Sequence, residues 1–557
     1  MNFLKFNLLI VSLCFLHGLM PFSATAGQQS NDQNSVRTDY SDHNQMGQRL
    51  RELTRAYPAM TNLQSLASTK GGKEIWLFTI GTGEITEKPA IAIVGGISGD
   101  HLLGSELALQ MAERLLANSG QTAIKNLMDS MSFYIFPDMS PDARAQYFAP
   151  LRYERLGNAN PADLDRDGRI GEDPFNDLNN DGMITMMRIK DPTGQWMKHP
   201  EDVRVMVKAR PEKGERGEYL LFSEGIDEDK DGQFNEDGEE GVIFNRNFTF
   251  KYPHFTRGAG EHAVSEIETR AIADFLYEAK NVFAVISFGE ANNLTDPISF
   301  NQAEANARIQ TGWQKSDVQI NEHVSRIYKQ HLGDEAPKAS KGSDGDFFQW
   351  AYYHYGRFSF STPGWTVPSG EKTGSDEIKS DDLNFLRWAE DKGLENIFVP
   401  WQTIGEHPDF PGRTVEVGGI VPFAMKNPPY SMADTIAEKH FAFVAEVAAL
   451  RPIIDIINIE TERLGRNLHR ITADIINKGT FPTASQTGEK VRWVQKSVLR
   501  LETKEGQSIL SGKPVDILGA IEGRSSVQRS WLVRGSGTVV IRAGAEASGI
   551  REAKIDL

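Results

Sequence analysis

Apolar positions along the chain follow two periods, and where each dominates predicts the architecture. Short unbroken apolar runs, "AIAIVGG", "MSFYIFPD" and "VFAVISFG", predict strands buried on both faces, and "EIWLFTIG" predicts another strand. Between them, "GSELALQMAERLLA", "VSEIETRAIADFLYEA" and "DTIAEKHFAFVAEVAAL" carry apolar residues at helical spacing. Strands alternating with helices over 46–450 predict an α/β domain with a mixed sheet and helices on both faces. Beyond residue 466 the pattern shortens. "RITADIINKGTFPT", "VRWVQKSVLRLE", "SILSGKPVDILGAI", "RSWLVRGSGTVVIRAG" and "REAKIDL" are short strands broken by Gly, Pro, Asn and Ser. They predict a C-terminal β-sandwich over 467–557, reached through a connector at 451–466.

The first residues follow neither period. Lys5, the apolar run "LLIVSLCFLHGLM" and the small residues "ATA" at Ala24–Ala26 predict a signal peptide over 1–26, so the protein is expected to be exported, to a periplasm or beyond. Residues 27–45 are polar and expected to be flexible. The sole cysteine, Cys14, lies in the leader, so the mature chain is expected to have neither disulfide nor thiol chemistry. No other apolar run is long enough to span a membrane.

Charge changes the picture locally. The formal net charge is −16, and the acids crowd into Asp163–Asp181 and Glu224–Glu240, which points to bound cations. No basic stripe is present, which excludes a nucleic-acid partner. Within the acidic stretches one pattern recurs: Asp163, Asp165, Asp167 and Gly168; Asp177, Asn179, Asp181 and Gly182; Asp227, Asp229, Asp231 and Gly232. Calcium takes roughly six to eight oxygens, and alternating carboxylates on a loop that turns at a glycine supply them. The apolar residues two further on, Ile170, Ile184 and Phe234, are expected to pin each loop to the core. No bidentate glutamate stands at the twelfth position of the first loop, so stand-alone structural calcium loops are expected rather than helix–loop–helix hands.

Several segments in order resemble the M14 zinc carboxypeptidase family, from about 46 to 450, including bacterial members with acidic calcium-type insertions, here at about 155–241. "NRNF" resembles the family's Asn-Arg pair that grips a substrate's terminal carboxylate, which implies substrate binding by Asn245 and Arg246. "SPDARAQYF" is similar to its Asn-Pro-Asp-Gly stretch, and "GSDGDFFQWAYYHYGRFSFSTPGW" to the segment that leads to its catalytic glutamate. The resemblance implies a zinc-carboxypeptidase-like fold.

It also implies a zinc held by a His-x-x-Glu pair and a later histidine, leaving one position for an activated water, with a glutamate as general base. In this sequence the family histidine of "GGISGDHLLGSE" falls at Ser98 and its glutamate at His101. The later histidine falls at Phe288, counted back from Pro297, and the general base at Pro363. Phenylalanine and proline offer no side-chain donor, and a serine hydroxyl is a poor zinc ligand.

The expectation is therefore a pseudo-peptidase, with the family's zinc lost, structural calcium retained, and a peptide C-terminus or cell-wall peptide as ligand. Two alternatives stay open. One is an active enzyme with rearranged zinc ligands, His101 and Glu290 with Asp100, Glu106 also lying near a lost position. The other is an adhesion or surface protein in which the calcium loops and sandwich matter most. Ser98 near His101 also raises a serine-nucleophile reading, though no Gly-x-Ser-x-Gly elbow is present. Oligomeric state is not legible.

Overall fold

A computed structural model describes residues 37–163, 168–235, 238, 241–368 and 378–557. At its centre is a six-stranded sheet ordered Thr61–Ser68, Glu74–Ile80, Ser132–Phe136, Ala90–Val94, Val282–Phe288 and Phe358–Thr362. The first two pairings are antiparallel and the other three parallel, the mixed sheet that the apolar runs predict. Every residue of the four parallel-paired strands is buried. That burial is why these strands are continuously apolar rather than alternating.

Side chains leave the sheet alternately on two faces. Ile91 and Ile93 meet the helices His43–Ala56, Leu102–Ala117, Lys315–Leu332 and Tyr430–Ala449 in one core. Ala90, Ala92 and Val94 meet Ile267–Glu278 and Phe347–Tyr353 in the other. The first helix starts in a capping box between Asp42 and Gln45, and Tyr40 and Ser41 before it are buried. Order therefore extends into the segment 27–45 that was expected to be flexible, because Tyr40 packs among Tyr147 and Tyr430.

The acidic insertion builds a sheet of its own. Met186–Lys190, Trp196–Lys198, Met206–Lys208 and Tyr219–Ser223 join Phe398–Thr403 and Val415–Ile420 in a six-stranded antiparallel layer. The insertion thus takes two strands from far downstream, which the sequence pattern did not reveal.

The C-terminal region is two four-stranded antiparallel sheets face to face. Its first strand is Ile454–Gly465, paired with Leu468–Asn477. The stretch 451–466 is therefore mostly strand rather than a connector: Ile454 and Ile456 are buried and enter the sandwich core. Residues Asp39–Leu557 form one compact unit, with Phe481 buried against Phe283, Phe358 and Phe360 of the central sheet. No helix among the described residues is long and apolar enough to cross a membrane.

Candidate functional site

The parallel strands end together at Val94, Phe136, Phe288 and Thr362, and the loops that follow them carry the residues of interest. The crevice beyond the carboxyl ends of such strands is where α/β sheets bind ligands. After Val94 the chain turns at Gly96, with φ +62°, a left-handed conformation that glycine adopts without strain. It then passes Ser98, Asp100 and His101 before the helix Leu102–Ala117.

All three side chains are buried. The Ser98 hydroxyl donates to Asp100 Oδ1 at 2.6 Å. Asp100 Oδ2 pairs with the Lys426 ammonium. Lys426 also stands 3.7 Å from Glu290, whose side chain is 56% exposed. Burial alone would pull the Lys426 ammonium down; Asp100, foremost among its acidic neighbours, overrides this and holds it well above the usual lysine range. Asn427 locks the turn from the same segment: its Oδ1 accepts from Leu103 N–H at 3.1 Å and its Nδ2 donates to the Asp100 carbonyl at 2.8 Å. This supplies a helix cap that His101, the residue at the N-cap position, does not make.

His101 points elsewhere. Its Nε2 lies 2.9 Å from the Pro363 carbonyl oxygen. A carbonyl only accepts, so Nε2 carries the proton and Nδ1 is a lone pair. Nδ1 is buried, and the Phe288 backbone, like that of Pro363, pulls the imidazole upward. Burial, against the opposing pull of Asp100, brings the imidazole down to about 4, so it is neutral at physiological pH. Gly104 is required for this placement: a Cβ there would stand 2.7 Å from His101 Nδ1 and 2.8 Å from the Phe288 oxygen.

Phe288 is fully buried and its ring meets His440 edge-on at 5.8 Å. Below it runs a neutral hydrogen-bond chain with one consistent direction. Gly364 N–H donates to Thr362 Oγ1 at 3.1 Å, Thr362 Oγ1 and Tyr328 OH are 2.7 Å apart, and Tyr328 OH reaches His440 Nε2 at 3.3 Å. His440 Nδ1–H donates to the Ile436 carbonyl at 2.8 Å. Burial lowers His440 to about 4.

These residues do not fit a zinc ion. The Ser98 hydroxyl is committed to Asp100, both Asp100 oxygens are taken, Phe288 belongs to the core, and Pro363 offers only its carbonyl, to His101. The fallback set is not assembled either: His101, Asp100 and Glu290 form no converging trio among the described residues. Glu106 is neither solvated nor a ligand. It is buried in a bidentate pair with Arg49 at 2.8 and 2.9 Å. Ser98 and His101 meet only through the backbone, where His101 N–H donates to the Ser98 carbonyl at 3.2 Å; their side chains turn to Asp100 and Pro363, so no nucleophile–base pair is formed.

The expected carboxylate grip has a mixed placement. Asn245 Oδ1 accepts from Phe347 N–H at 3.1 Å, holding the start of the helix Phe347–Tyr353. Half-buried Arg246 donates to the Arg257 carbonyl at 2.9 Å and has no acidic partner among the described residues. Lys426 connects the closed centre to open space. It lines a cavity of about 720 Å³ between the insertion sheet and the helix Asp381–Asp391, with Trp196, Met206, Leu386, Trp401 and Met425 among its walls. Lys426 and Asn427 gave no sign in the sequence, since the residues they hold lie more than 320 positions away.

Two of the acidic loops are described almost whole. In both, the first aspartate accepts from the glycine N–H: Asp177 from Gly182 at 2.8 Å and Asp227 from Gly232 at 3.1 Å. Asp163 accepts likewise from Gly168 at 3.0 Å, but Asp165 and Asp167 lie outside the described residues. Among the described residues, Asp227, Asp229 and Asp231 are the one trio whose ligand atoms converge, all within 4.8 Å. Ile184 is buried and Phe234 packs on Phe222 and Phe410, as expected of pins. Ile170 departs from that expectation: it is 56% exposed and pins nothing.

The family model described as zinc carboxypeptidase matches residues 46–365, and a model of a domain of unknown function matches 454–556. Carboxypeptidase D of Anas platyrhynchos is 34% identical over 134 residues, 23% of this chain and 10% of that protein. Carboxypeptidase SOL1 of Arabidopsis thaliana is 26% identical over 141 residues, 25% of this chain and 27% of that protein. The chain thus spans only about a tenth to a quarter of these relatives' lengths. Among solved structures, thrombin-activatable fibrinolysis inhibitor aligns with a TM-score of 0.42 and 15% identity, over 75% of this chain and 77% of that one. Carboxypeptidase A of Helicoverpa armigera aligns with a TM-score of 0.42 and 11% identity, over 76% and 77%. With the family model covering more than half of its length, the chain belongs to the zinc carboxypeptidase family.

Proposed function

We propose that this protein is an exported, non-catalytic member of its family that binds a peptide or amino-acid carboxylate, the C-terminus of a peptide or of a cell-wall peptide. One observation carries the reading: where family members need three metal ligands and a base, this chain has a closed set of contacts. Ser98, Asp100 and Lys426 satisfy one another, His101 is spent on Pro363, and Phe288 is core. Hydrolysis through an activated water needs an open coordination position and a base, and Ser98, His101, Phe288 and Pro363 supply neither.

Binding needs less. Arg246 keeps N–H groups without an acidic partner among the described residues, and a guanidinium suits a carboxylate because it bonds both oxygens. Export rests on the leader at 1–26, outside the described residues, and is checked by sequencing the N-terminus of the mature protein.

The test uses a synthetic pentapeptide as free acid and as amide, with and without added zinc. The free acid is expected to bind without being cleaved, the amide at least roughly tenfold more weakly, as loss of a charge-assisted pair predicts. Arg246→Gln is expected to remove the preference for the free acid. Zinc-dependent release of the C-terminal residue would overturn the reading in favour of rearranged ligands.

A further inference from the structure

We infer that the loop Asp227–Gly232 is a calcium site with Asp227, Asp229 and Asp231 as carboxylate ligands, and that its ion fastens together two walls of the large cavity. The three acids converge within 4.8 Å. Convergence alone is common on surfaces, but here a second observation points inward. Asp227 is 7% exposed; its Oδ2 accepts from Gly232 N–H, while its Oδ1 is buried with no hydrogen-bond donor among the described residues. A buried, unpaired carboxylate oxygen beside two further carboxylates calls for a cation. All-oxygen ligands on a flexible glycine turn suit calcium better than magnesium, which demands a smaller and more regular cage.

The repeats are not equivalent. An amide meets the fifth-position carboxylate in both loops, Asn179 Nδ2 on Asp181 at 3.0 Å and Gln233 Nε2 on Asp231 at 2.7 Å, but in the loop Asp177–Gly182 the first aspartate has donors on both oxygens, Asp181 N–H at 3.2 Å and Gly182 N–H at 2.8 Å. No such internal donor serves Asp227 Oδ1.

The loop also sits at a junction. Asn235, just past it, donates to Ser223 Oγ at 2.7 Å and to the Glu224 carbonyl at 2.8 Å, at the end of the strand Tyr219–Ser223. On the other side Asp227 N–H donates to Asp409 Oδ2 at 3.0 Å, Lys230 pairs with Asp409, and His407 Nε2–H donates to the Gly225 carbonyl at 2.9 Å. Residues 404–414 join Phe398–Thr403 to Val415–Ile420. Leu221 and Ser223 line the cavity from one strand, Trp401, Gly419 and Ile420 from this hairpin. An ion that orders the loop therefore stiffens both walls. This inference is independent of whether the cavity or Arg246 binds a carboxylate.

The test is calcium titration of the chelator-stripped full-length mature protein by calorimetry, with hydrogen exchange measured in calcium, in magnesium and in chelator. Calcium is expected to slow exchange in 219–235 and 404–410, and equimolar magnesium to do so far less. Asp227→Asn with Asp231→Asn is expected to abolish one binding event, or weaken it at least roughly tenfold, and to remove that protection. Asp177→Asn with Asp181→Asn is expected to leave the response at 404–410 intact. Unchanged calcium binding in the first variant, or no calcium-dependent protection at 404–410 in the unmodified protein, would overturn the inference. An equal response to magnesium would overturn the assignment to calcium. The exchange comparison in the unmodified protein stands even if a variant does not fold.

Discussion

Phe288, which the proposed reading sets at the place of a metal-ligand histidine, is fully buried. A ligand histidine would present a ring nitrogen to the metal, whereas Phe288 fills core between the sheet and His440. Phe288→Ala is therefore expected to cost about 3–5 kcal/mol, the price of a large buried ring, in chemical denaturation; a loss below about 1 kcal/mol would show that the side chain faces an open site. His440 gives a pH signature. Burial holds its folded-state pKa at about 4 against the ordinary 6.5. The neutral ring's contribution to stability is thus complete above about pH 6.5 and is lost as pH falls toward 4, because the unfolded chain takes up the proton first. His101, also near 4, adds to the same acid limb. His440→Gln should flatten stability against pH between 6.5 and 4, and an unchanged slope would contradict the assignment. Residue identities at the family positions were legible in the sequence. Their partners were not: nothing in "GGISGDHL" announces that Asp100 is held by Lys426, or that His101 reaches the carbonyl of Pro363, 262 residues away.

Elements were legible wherever their burial was uniform. The fully buried parallel strands read as apolar runs because both faces are covered, and the long helices read from their spacing. Elements assembled from distant halves were not, and the insertion sheet is the example, since its strands Phe398–Thr403 and Val415–Ile420 are half exposed or glycine-bearing and carry no strong period. The same lack of a local signal hid the cap of the helix Leu102–Ala117. Its first turn depends on Asn427, which bridges Leu103 N–H and the Asp100 carbonyl. Asn427→Ala is expected to cost about 1–2 kcal/mol, as loss of a cap does, and to raise hydrogen exchange in 102–105 more than in the rest of that helix. A uniform change along the helix would argue against a capping role.

On the scale of the whole molecule, the sandwich is a structural partner of the α/β part. Phe481 inserts among Phe283, Phe358 and Phe360, and Asp317 accepts backbone N–H bonds from Gln486 at 2.8 Å and Thr487 at 3.1 Å. Phe481→Ala should lower the stability of both parts together by about 3–5 kcal/mol; two separated transitions, with only the sandwich weakened, would contradict that coupling. The sandwich's existence was readable from its short, punctuated strands, but not its start at Ile454, because the long strand Ile454–Gly465 is exposed over most of its length and reads as polar. The proposed reading is that the fold keeps the frame of its family while contacts among its own side chains take the place of the zinc. The most direct measurement of that claim is the zinc content of the mature protein by elemental analysis, after equilibration with zinc and dialysis into metal-free buffer. A zinc content near zero is the predicted result; a full equivalent of tightly held zinc per chain would contradict the account.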